Sequence, residues 1–173
     1  MQSFLIYKNL AWLNDLPRDE AEAVFADCCG SSAWACGMAL ERPFPMLEDL
    51  YEAARRIWYS LTPADRLGAY SRNVKMEPLK PPYLLQMRTF TGPVNIQPDT
   101  AGKDIDISFA DAKRLYEDKF GFIFVLCVKE MPPAEALAIC RARHGNSVVT
   151  EMRIAAAEQL KIIEINLDKL LEQ

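Results

Sequence analysis

Between residues 72 and 88 the chain carries four cations, Arg72, Lys75, Lys80 and Arg88, with the phenol of Tyr83 among them. Guanidinium and ammonium groups hold carboxylates through charge-assisted hydrogen bonds, and a phenol can pass a proton to a developing anion. Taken singly, each of these residues also reads as a solvated surface charge or a rim residue. Taken together they suit a site for a small organic anion. Phe90 and Phe122 offer apolar walls, although core packing suits Phe122 equally well. His144 is the chain's single histidine, in the run Arg141-Ala142-Arg143-His144-Gly145-Asn146. A histidine can act as a near-neutral acid or base. With no neighbour to orient it, the better reading is a helix-terminal residue complementing the dipole. Cys28, Cys29 and Cys36 lack the paired spacing of a zinc site, so neither a metal nor another cofactor is expected.

The elements that must position these residues are helical. Leu47, Leu50, Tyr51, Ala54, Ile57, Trp58 and Leu61 recur at helical spacing, with Glu48, Asp49, Glu52, Arg55 and Arg56 opposite. Ala21, Val24, Phe25 and Cys28 make a shorter stripe behind Pro17, which suits a first helical position. Met152, Ala156, Leu160, Ile163, Leu167 and Leu170 predict a continuous seam on a last helix. Thr62-Pro63-Ala64-Asp65 is a start signal, as is Pro132-Pro133-Ala134-Glu135. Ser108-Phe109-Ala110-Asp111 predicts another start, and Gly145-Asn146 a stop. Phe120 to Val128 is apolar at all but Gly121 and, by composition alone, looks like a buried strand. From Glu77 to Lys103, five prolines and two glycines predict irregular backbone, either an ordered surface loop or the lining of a pocket.

A chain of 173 residues is most simply one domain, 1–173, able to bury a core without disulfides. Twenty basic and twenty-four acidic residues give a net charge of −4, with no footprint for nucleic acid. No apolar run approaches the roughly 20 residues that span a bilayer. Five cysteines without a secretory signal predict reduced thiols and a cytoplasmic protein, and Leu171-Glu172-Gln173 is not a peroxisomal address.

Leu13-Asn14-Asp15-Leu16-Pro17, Trp34, Arg42-Pro43-Phe44, the Phe120-Gly121-Phe122-Ile123-Phe124-Val125 segment, Gly145-Asn146, Glu151, Glu158, Lys161-Ile162 and Leu167 follow in an order that resembles the ureidoimidazoline (OHCU) decarboxylase family of urate degradation. The likeness runs from Leu13 to Leu167. It implies an all-α, single-domain helical bundle of about seven to nine helices, commonly a homodimer, acting on a small molecule. It also implies that main-chain groups of Phe122, Ile123, Phe124 and Val125 meet the substrate.

The family's catalytic groups are a His-Pro pair, a Ser-x-x-Glu-Gln element and an arginine in the last helix. On this pattern the His-Pro pair falls on Asn73-Val74 and the arginine on Asn166, while no Ser-x-x-Glu-Gln occurs between Glu77 and Lys103. Asparagine makes hydrogen bonds but exchanges no proton near neutrality. The resemblance therefore implies a rewired pocket. Asn73 and Asn166 would donate to a carbonyl or enolate oxygen, Arg72, Lys75 or Arg88 would hold an anion, and Tyr83 would deliver the proton. Three functions stay open: a divergent decarboxylase-, isomerase- or cyclase-type enzyme, a non-catalytic ligand- or protein-binding module, and OHCU decarboxylation by substitute residues.

Overall fold

Eight helices form along the chain in a computed structural model that describes residues 2–72, 100–128 and 131–172. They are α1 (Gln2–Asp15), α2 (Arg18–Cys29), α3 (Ser32–Glu41), α4 (Leu47–Ser60), α5 (Pro63–Arg72), α6 (Thr100–Phe120), α7 (Pro133–His144) and α8 (Val148–Leu171). Among the described residues there is no strand, and no helix is long and apolar enough to cross a membrane. Among the described residues the all-α expectation and its range of helix numbers hold.

Local signals account for most boundaries. The Thr62 hydroxyl accepts the Asp65 N–H at 3.2 Å and donates to the Asp65 carboxylate at 2.7 Å, closing the first turn of α5. Pro133 opens α7 behind Pro132, where a missing N–H costs nothing. Pro17 instead caps α2, one place before its expected position. The Ser108 start is corrected: α6 begins at Thr100, so residues 100–103, expected to be irregular, are helical. Ile105, Phe109, Ala112 and Tyr116 continue the helical spacing through Ser108, and that longer period outweighs one weak capping signal. The irregular stretch before Thr100 lies outside the described residues.

The chain divides into two compact units, Met1–Arg72 with Leu160–Gln173, and Asn73–Gln159. In the first, the α4 stripe is core: Leu50, Ala54, Ile57 and Trp58 are buried. Gly37 on α3 lets α4 approach closely, since a Cβ there would stand 2.8 Å from Ile57. The Trp34 indole packs edge-on to Phe25 and donates to the Ala54 carbonyl at 3.0 Å. The Leu13–Pro17 and Arg42–Phe44 motifs are one contact. Arg42 Nη1 donates to the carbonyls of Leu13 and Leu16, each at 2.7 Å, while Asn14 and Phe44 exchange two 2.9 Å bonds through the Asn14 side-chain amide. Carbonyls that α1 leaves without helical partners are thereby satisfied.

The second unit is aromatic. Tyr116 meets Phe120, Phe122 and Phe124 with ring centroids 4.6, 5.8 and 5.2 Å away, and Phe109 meets Phe124 at 6.3 Å. The five cysteines are free thiols. Cys28 and Cys29 are buried in the first unit and Cys140 in the second, and burial pushes the Cys29 thiol up to about 12 and that of Cys140 up to about 11.

Candidate functional site

The stretch that looked like a strand is neither strand nor helix. Gly121 ends α6 in the left-handed conformation, φ 75°, with its N–H on the Glu117 carbonyl at 2.8 Å, a geometry that favours glycine. From Ile123 to Val128 the backbone has no regular structure, yet Phe124, Val125 and Leu126 are buried. Buried main chain almost always finds hydrogen-bond partners. Here two side chains serve. Arg143 Nη1 donates to the Val125 carbonyl at 2.7 Å, and the Glu158 carboxylate accepts the Cys127 N–H at 2.8 Å. Among the described residues, no acceptor meets the N–H groups of Ile123, Phe124, Val125 or Leu126.

Arg143 is itself anchored. It is 7% exposed and ion-paired with Glu151, which is 0% exposed; Nε stands 2.7 Å from the Glu151 carboxylate and Nη2 also donates to it. The Tyr116 hydroxyl and the Asn146 side-chain amide donate to the same carboxylate, at 2.5 and 2.8 Å. The guanidinium also lies 4.7 Å from the Phe124 ring centroid. Burial alone would push the Glu151 carboxyl up, but the bonds from Arg143, Tyr116 and Asn146 outweigh it and hold the group below its ordinary range. Burial and the bond to Glu151 push the Tyr116 phenol far up, so it stays a neutral donor. With their partners inside the cluster, these groups hold the backbone rather than exchange protons.

Of the expected site residues, the structure brings together Phe122, Ile123, Phe124 and Val125. The Phe122 ring is buried against Tyr116 and Phe120. Asn166, on α8 in the first unit, donates to the Cys28 carbonyl at 2.8 Å and so satisfies an orphan at the end of α2. Arg72 is the last residue of α5. Asn73, Lys75, Tyr83, Arg88 and Phe90 lie outside the described residues. His144 ends α7, edge-on to Phe120 at 6.4 Å, and its carbonyl accepts from Lys119.

Sequence reasoning gave no role to Arg143, Tyr116 or Glu158. A signal for Arg143 was present: it extends the α7 stripe of Ala136, Leu137 and Cys140, where a charge needs a buried partner.

Comparisons with known proteins agree on the family. Residues 14–168 match the family model for OHCU decarboxylase. The chain is 32% identical over 147 residues to the Uric acid degradation bifunctional protein TTL of Arabidopsis thaliana, covering 83% of this chain and 45% of that protein. It thus spans less than half of that relative's length. A crystal structure of OHCU decarboxylase in the presence of (S)-allantoin superposes with a TM-score of 0.68 at 29% identity, covering 86% of this chain and 97% of that one. A crystal structure of (S)-allantoin synthase, 15% identical, shares the fold with a TM-score of 0.66 over 93% of this chain and 53% of its own. The chain belongs to the OHCU decarboxylase family.

Proposed function

We propose that this family member is a small-molecule enzyme acting through a carbanion or enolate on an organic acid or carbonyl compound, with proton-handling groups that differ from the family's. The observation that carries this reading is the run of N–H groups from Ile123 to Leu126 that meet no acceptor among the described residues, in a segment buried at Phe124–Leu126 and pinned at Val125 and Cys127. Core filler would pair its amides. Amides held fixed and left without partners suit carbonyl or carboxylate oxygens of a substrate. Arg72, Lys75 and Arg88 then hold an anion, Tyr83 delivers the proton and Asn73 binds an oxygen. The protein works in the cytoplasm as a homodimer, with 1–173 as one domain and no added cofactor.

A second reading, a non-catalytic ligand- or protein-binding member, is favoured by Asn166, whose amide is engaged by the Cys28 carbonyl. Turnover of an organic acid separates the readings, and two further measurements test the site. Titration with (S)-allantoin should shift the amide resonances of residues 123–126. Freshly generated OHCU, followed by circular dichroism, should give (S)-allantoin no faster than spontaneous decay, because loss of a general acid costs on the order of a hundredfold or more. Acceleration would mean that substitute residues retain the family reaction. Unshifted amides, with no turnover across a panel of organic acids, would leave the binding module.

A further inference from the structure

The geometry points to Arg143 as a positioning residue for the Leu126 N–H, one of the 123–126 amides, acting through the Val125 carbonyl. This rests on the reading that those amides meet the substrate. A peptide unit is planar and trans, so its C=O and N–H point in opposite directions. Fixing the Val125 carbonyl on Arg143 therefore fixes the direction of the Leu126 N–H. Glu158, by accepting from Cys127, fixes the next plane and with it the Leu126 carbonyl. The two side chains thus set both peptide planes that flank Leu126.

The guanidinium is in turn unable to turn freely. Nε and Nη2 are held by Glu151, and Phe124 lies across its face, which leaves Nη1 aimed at Val125. Tyr116 and Asn146 fix the carboxylate. As a device for stability alone this is a poor choice, since a buried ion pair often does no better than well-packed apolar side chains. An apolar pair, however, cannot orient a carbonyl.

The test pairs Arg143→Met with Glu151→Leu, which removes both charges without orphaning either. The double variant should keep a cooperative melt. Amide hydrogen exchange at Cys127 should rise by about tenfold or more as the segment loosens, while Cys140 and Ala142 in α7 exchange as before. Binding of (S)-allantoin should weaken in parallel. Unchanged exchange at Cys127 in the folded double variant would overturn the assignment and leave the ion pair as packing. Should that variant not fold, Arg143→Lys carries the same measurement, because it keeps the charge and loses the planar fork that reaches Val125. If the unaltered protein does not bind (S)-allantoin, the substrate reading of the segment fails, and the exchange result still decides whether Arg143 holds it.

Discussion

Arg42 and Arg143 both hold main-chain carbonyls, in different surroundings. Arg42 is partly exposed and gathers the carbonyls that end α1. Helix ends can turn to water when a side chain is lost. Arg143 is buried, holds a single carbonyl of a non-helical segment, and needs Glu151 to offset its charge. The first arrangement finishes a helix. The second holds a buried backbone segment that has no regular secondary structure of its own.

The contrast can be broken by substitution. Arg143→Ala should cost about 3–5 kcal/mol in urea unfolding, because it strands a buried carboxylate. Arg42→Ala should cost about 1–3 kcal/mol, the loss of hydrogen bonds to the Leu13 and Leu16 carbonyls with no charge left buried behind it. Equal losses would mean that the two knots do the same job.

Acid sharpens the comparison. The folded Glu151 carboxyl sits below its ordinary value of 4.5, so the folded state binds that proton less readily than the unfolded chain. Its contribution is complete above the ordinary value and is lost as pH falls through the folded one. Melting temperatures should therefore hold from about pH 7 to about pH 5 and fall below that. Glu151→Gln should begin lower and lose less on acidification. An acid branch unchanged by this substitution would remove Glu151 as its source. The smallest effect belongs to a simple cap: Thr62→Ala should cost about 1 kcal/mol and leave exchange at Cys127 untouched.

Much of the fold was legible because it repeats. The stripes of α4 from Leu50 to Trp58 and of α8 from Ala156 to Leu167 announce their buried faces through spacing alone, while the expected ends Leu47, Leu61, Met152 and Leu170 are only half-buried. Prolines and caps marked α5 and α7. The Ser108 signal failed because a serine within a long amphipathic period is not a cap. The Phe120–Val128 segment misled for another reason. Apolar composition reports burial, not conformation, and what holds this segment is an arginine and two glutamates, the direct bonds reaching 18 and 31 residues further along the chain. Pairings of that range leave no local period. The Leu13–Pro17 and Arg42–Phe44 motifs, weak as separate signals, form a single contact for the same reason.

The free thiols have a practical consequence. Alkylating reagents attack thiolates, so Cys28, Cys29 and Cys140, buried and biased toward the protonated form, are shielded until the backbone around them opens. Cys36 and Cys127 are partly accessible from the outset. Each compact unit thus contains one early-reacting sulfur and at least one latent one. Pulse labelling read by peptide mass would time the opening of the two units separately, with no introduced probe.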